Sequence, residues 1–111
     1  PFAPDVVVGI DDVYEQKIDA LHCHVSQMYE WLAYNGGYLS EVPDAPDARW
    51  AWLREFRAPR FRHAADLYRE MLIADYGAER GGQIEFAEAF EACEYGAPLT
   101  AEARQRLFPF L

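Results

Sequence analysis

The chain has 111 residues, 51% of them hydrophobic and 15% aromatic, with 19 acidic against 10 basic side chains and a net charge of −9. That is enough apolar material for one core, which excludes intrinsic disorder, and no apolar run approaches the roughly 20 residues of a membrane-spanning helix. Phosphate backbones need clustered Lys and Arg; the one such run, Arg54, Arg57, Arg60 and Arg62, is diluted by Glu55 into a solvated helix face, so nucleic acid is not an expected partner.

The first element is the run Val6-Val7-Val8-Gly9-Ile10 between Pro4 and two aspartates. A continuous β-branched run predicts a strand over 5–10, buried on both faces as in a parallel α/β sheet. A strand needs partners, and no second clear strand follows. Because the chain also starts Pro1-Phe2-Ala3-Pro4 without methionine, the expectation is a fragment whose strand pairs with a missing amino-terminal segment or a companion chain.

Asp11 and Asp12 offer N-caps, and Asp12 with Glu15 makes an approximate capping box. One long helix is predicted over 12–34, stopped by Asn35-Gly36-Gly37. Tyr14, Ile18, Leu21, Val25, Met28 and Leu32 alternate spacings of four and three and form its buried stripe. Lys17, Ala20, His24 and Gln27 line one edge of that stripe, where side chains can reach a cleft, and Ser26 points the opposite way.

Residues 41–80 read as a helical insertion. A Pro, Asp and Ala loop over 41–47 leads into a helix over 48–57 carrying Trp50, Trp52, Leu53 and Phe56; Pro59 interrupts it or starts the next one. A further helix over 61–76 places Leu67, Met71 and Ala74 at core spacing and stops at Gly77. Residues 81–111 form a closing segment: a Gly81-Gly82 turn, an extended or irregular stretch over 83–93, and a short helix over 101–107 capped by Thr100. The fold class is α/β: one buried strand, then about three to four helices, like the closing part of an α/β sandwich.

Lys17, Ala20, His24, Ser26 and Gln27, following the strand and Asp11-Asp12, resemble the carboxy-terminal signature of the PIG-L/LmbE-like de-N-acetylases. Phe86-Ala87-Glu88-Ala89-Phe90, after a glycine pair, is similar to the aromatic-Ala-Glu-x-Phe segment near that family's carboxy terminus. The resemblance covers about 5–27 and 81–94; residues 34–80 carry no signature of it. It implies a Rossmann-like α/β sandwich binding one Zn²⁺, and a hydrolase removing an N-acetyl group from an amino sugar such as a GlcNAc derivative, or from a related small amide. The family's His-Pro-Asp-Asp-Glu motif and its later histidine ligand have no counterpart here. The complete protein is expected to hold zinc, and this chain to hold none and to be inactive alone.

The resemblance makes His24 a candidate contact to substrate or oxyanion, the alternative being a helix histidine bonded to a neighbouring carbonyl. Lys17, Gln27 and Glu88 are candidate substrate-binding residues. Lys17 reads equally as a solvated edge lysine, Gln27 or Ser26 as a hydrogen bond to a loop of the missing part, and Glu88 as an edge glutamate. His22 and His24 diverge by about 200° on a helix and are not expected to share a metal. A Ser26–His24 triad lacks nucleophile-elbow glycines. His63 reads as surface, and Trp50 and Trp52 as core or interface. Cys23 and Cys93 lack a CxxC spacing, so reduced thiols in a cytoplasmic protein are expected. The other function class is a non-catalytic, acidic, helical protein-interaction module, and a homo-oligomer is compatible with both.

Overall fold

The computed structural model describes residues 1–111. The chain is a mixed α/β protein, mostly helical, with six α-helices and one two-stranded sheet. It divides into two compact units, one of Pro1–Asp11 with Phe61–Leu111 and the other of Asp12–Arg60.

In the first unit, β1 (Val6–Gly9) pairs antiparallel with β2 (Ala87–Phe90), in the register Val6 to Phe90 and Val8 to Glu88. The expected strand is present, and Val6 and Val7 are both buried, so its amino-terminal half is covered on both faces. Two expectations are corrected. The pairing is antiparallel, not parallel, and β1 has a partner within this chain. The apolar run records burial, which an antiparallel pair under a helix provides as well as a parallel sheet does. The partner was hidden because Gly-Gly and mixed spacings precede it.

Two aspartates fix the pairing. The Asp11 carboxylate accepts the backbone N–H of Phe86 at 2.6 Å and of Glu85 at 3.0 Å. Asp5 Oδ2 accepts that of Ala92 at 2.7 Å. Asp11 therefore does not cap the following helix, and neither does the expected Asp12–Glu15 box: the residue before that helix, Val13, makes no side-chain cap bond. The long-range partner for Asp11 outcompetes the local one.

The core of this unit is Val7, Ala65, Leu72, Ile84 and Ala87, with Tyr68, Met71 and Tyr76 packed against it. The helix over 61–76 is in fact the end of α3 (Pro46–Leu67) followed by α4 (Arg69–Tyr76). The break at Tyr68 resets the phase, so Leu67 is exposed and Leu72 takes the core position. Gly77 ends α4 as expected, at φ +84°. The Gly81-Gly82 turn is instead part of α5 (Ala78–Gln83). Gly81 lies against the Leu72 carbonyl, and a Cβ there would meet Ile73 Cα at 2.6 Å, so only glycine permits this approach. Arg69 closes the end of α5, donating to the carbonyls of Gly81 at 3.0 Å and Ile84 at 2.6 Å. The short carboxy-terminal helix forms as the sequence implies: Thr100 Oγ1 accepts the Ala103 N–H at the start of α6 (Ala101–Leu107). Arg104 of α6 then grips both oxygens of Asp75 at 2.7 Å.

In the second unit, the predicted 12–34 helix is not continuous. A 3-10 turn (Asp11–Val13) leads into α1 (Tyr14–His22); the helix breaks at Cys23 and His24, resumes through a π-helical turn (Gln27–Trp31), and ends in α2 (Leu32–Asn35). The helical portion of α3 in this unit runs straight through Pro59. Proline is tolerated there at the loss of one backbone hydrogen bond to the carbonyl of Glu55. Tyr14, Ile18, Tyr29, Ala33, Leu53 and Ala58 are buried here. Trp52 stacks on Phe56 at 4.7 Å, and Tyr38 meets Phe56 at 4.6 Å.

Candidate functional site

The break in the predicted helix falls among the signature residues. His24 N donates to the Leu21 carbonyl at 3.0 Å, tightening the end of α1, and the His24 carbonyl accepts from both Gln27 (3.1 Å) and Met28 (2.8 Å). His24 thus stands outside regular helix and starts the next segment. Its ring, Ser26 and Gln27 are exposed. The single edge stripe of Lys17, Ala20, His24 and Gln27 is corrected: Lys17 and Ala20 sit on α1, and the break changes the phase before Gln27. Backbone hydrogen bonding joins His24 to Gln27, whereas Lys17 lies two turns back and is half-buried. Glu88 belongs to the other unit, half-buried on β2 opposite Val8.

The buried stripe shifts for the same reason. Tyr14 and Ile18 are buried as expected, but Val25 is exposed, and Tyr29 and Ala33 take its place. A π-helical turn adds a residue to the helical circuit, which rotates everything after it. Tyr29 lies within this turn at 1% exposure, and Trp31, two residues on, is 59% exposed.

Tyr29 is the residue that sequence reasoning missed. Its hydroxyl lies 2.6 Å from His22 Nδ1 and donates to the Arg49 carbonyl at 3.3 Å. The Arg49 guanidinium covers its ring, 5.3 Å from the centroid. Burial raises the Tyr29 pKa above its ordinary value, and the Arg49 charge opposes that. The His22 ring is therefore spanned across the helix break, seven residues on in sequence. Nothing in the local pattern marks this bond, because it exists only once the helix has broken.

Trp50 Nε1 donates to Asp19 at 2.7 Å, and Trp52 sits in the aromatic ladder, so both serve packing within this unit. His63 is exposed, and so are both thiols. No three His, Cys, Asp or Glu side chains converge as a metal site would require. The residues of this chain do not by themselves fit a catalytic zinc ion.

No protein-family model, no curated protein and no solved structure matches this chain.

Proposed function

We propose that these 111 residues are the carboxy-terminal, helix-rich part of a zinc-dependent de-N-acetylase similar to the PIG-L/LmbE-like enzymes. The substrate class is the N-acetyl group of an amino sugar or related small amide. One observation supports this reading: the strand that opens the first stretch resembling the family pairs with the strand of the second, about 80 residues on. β2 holds Ala87 to Phe90, and β1, which precedes the Lys17 to Gln27 motif in sequence, places Val8 opposite Glu88. A Rossmann-like sandwich would add further strands and the zinc ligands from residues outside these 111. The exposed His24, Ser26 and Gln27 on the broken helix are then the groups available to a cleft. His24 offers a ring N–H to an oxyanion, and Gln27 an amide to the substrate.

The experiment is steady-state hydrolysis of N-acetylglucosaminyl substrates by the complete protein, parent against His24→Ala. Removal of an oxyanion donor lowers kcat/KM by about 10- to 1,000-fold with zinc content unchanged. A parental rate in the variant returns His24 to a purely structural role. Absence of turnover by the zinc-loaded parent across amino-sugar amides overturns the deacetylase reading.

A second reading, a non-catalytic acidic interaction module, is favoured by the exposure of Trp31 at 59% and Tyr34 at 74% on one stretch of helix. It predicts partner binding without hydrolysis.

A further inference from the structure

Trp31, Tyr34 and Leu39 are large apolar side chains that face solvent, 47% to 74% exposed. With Ser26, Gln27 and Glu30 they line a shallow, open cavity of about 550 Å³. Glu30 and Trp31 lie in the π-helical turn Gln27–Trp31 and face solvent, whereas Tyr29 of the same turn is buried. Such turns recur at functional positions. An aromatic patch with a polar rim is the usual form of a docking surface.

Charge names the occupant. Glu30 is the charged side chain that lines the cavity, and the Arg57 guanidinium is turned to Met28 Sδ at 3.3 Å. Asp19, Glu41, Asp44 and Asp47 are the other acids between Lys17 and Arg49, a stretch without lysine or arginine. Asp19 is engaged by Trp50; Glu30, Glu41, Asp44 and Asp47 are exposed. Trp and Tyr faces attract cations, and a carboxylate beside them adds to the attraction. The chain uses this pairing internally, with Arg49 over Tyr29, Arg54 over Tyr14 and Arg80 over Tyr76 at 5.3, 5.6 and 4.9 Å. A second copy of a chain with net charge −9 is a poor occupant, because like charges oppose its approach.

We infer that the Glu30, Trp31, Tyr34 and Leu39 surface binds a basic, apolar peptide segment of a partner protein. Lysine or arginine side chains of the partner lie over the two rings and against Glu30, and its apolar residues cover Leu39. Ser26 and Gln27 border both this surface and the proposed cleft, but the test reads peptide binding and not enzyme activity.

The probe is a fluorescein-labelled amphipathic peptide with leucines along one helical face and lysines elsewhere, titrated with the full chain and followed by anisotropy. The expected result is saturable one-to-one binding that weakens as salt rises, with no binding of the same peptide carrying glutamate in place of lysine. Loss of two exposed ring–cation contacts in Trp31→Ala/Tyr34→Ala raises Kd by about 5- to 30-fold. Glu30→Lys raises it too, whereas Glu102→Lys, on α6 in the other unit, leaves it near parental. All four side chains are exposed, so circular dichroism of each variant should match the parent. Three results overturn the inference: no saturable binding, equal affinity for the glutamate peptide, or equal effects of Glu30→Lys and Glu102→Lys. Self-association lost in the ring double variant also overturns it, by assigning the surface to a second copy.

Discussion

Tyr14 and Arg54 hold each other twice: the Tyr14 hydroxyl donates to the Arg54 carbonyl at 2.7 Å, and the Arg54 guanidinium lies 5.6 Å from the Tyr14 ring centroid. Tyr29 and Arg49 repeat the arrangement, with the hydroxyl on the carbonyl and the guanidinium on the ring of one tyrosine. Two buried tyrosines from the broken helix thus hang on two arginines of α3, five residues apart. Glu15 and Glu55 hold the Arg54 guanidinium in place and raise its pKa further. Each tyrosine satisfies its buried hydroxyl with a main-chain acceptor, and each arginine lays its guanidinium over a ring.

Replacing Tyr14 by Phe keeps the ring and removes the hydrogen bond, so it should cost about 0.5–1.5 kcal/mol. Tyr14→Leu should cost more, because the ring under Arg54 is lost as well. Urea denaturation of the parent and both variants measures the difference. Equal midpoints for Tyr14→Phe and parent would show that the hydroxyl contributes nothing.

Tyr29 sets an alkaline limit. Its folded pKa is raised above the unfolded value of 10.0, chiefly by burial. In the window above pH 10.0 the folded state therefore holds a proton that the unfolded state has released, and stability falls as pH rises. Below that pH the contribution is fully present. Tyr29→Phe should flatten the decline in melting temperature above pH 10 relative to the parent, while lowering stability at neutral pH. Parallel curves for the two proteins would assign the alkaline loss to other groups.

The two adjacent glycines of α5 should respond in opposite ways. Gly81→Ala drives a Cβ into the backbone at Leu72 and Ile73, a clash with nothing flexible to give way, and should cost about 2–4 kcal/mol. Gly82→Ala meets open space within the helix and should be neutral or stabilising by up to about 1 kcal/mol. Thermal melts of both variants decide, and similar shifts in the two would show that α5 does not sit against α4 in this register.

Asp11→Ala strips the acceptor from the N–H groups of Glu85 and Phe86 and should destabilise by about 1–3 kcal/mol. Asp11→Asn keeps one acceptor oxygen and should lie between the two. Hydrogen exchange is the more telling measurement: the Phe86 amide should exchange faster in Asp11→Ala than in the parent, with the Ala103 amide at the Thr100 cap as an unaffected reference.

Features built on neighbouring residues were legible in the sequence: the strand over Val6 to Gly9, the stop at Gly77, the Thr100 cap and the carboxy-terminal helix. The last three depend on contacts within a few residues, and the strand announces itself by its β-branched run, so residue type and spacing carry the information. What could not be read depends on partners far along the chain. Asp11 looks like a cap until Phe86 is beside it. Val25 looks buried until the helix breaks at Cys23 and His24 just ahead of it. Pro59 looks like a helix end because propensity is local, whereas the packing of Leu53, Ala58 and Phe61, all buried, holds α3 together on both sides of it. Within the candidate site, exposure of His24 and Gln27 agreed with their polar character, but their separation from Lys17 followed from the break, which no spacing announced.

The clasp of β2 by Asp5 and Asp11 joins residues 75 to 87 positions apart, and this orders events in time. At about 5–20 residues per second, a ribosome needs several seconds or more after making Val6 before Phe90 exists to pair with it. By the end of that interval the contacts within Asp12–Arg60, all shorter in sequence, are available, whereas Val6 and Val7 still lack β2. The slow, vulnerable step in the birth of this protein is therefore the wait of Val6 and Val7 for a partner not yet made, and substitutions that weaken either aspartate should reduce soluble yield more than they reduce the stability of the protein once folded.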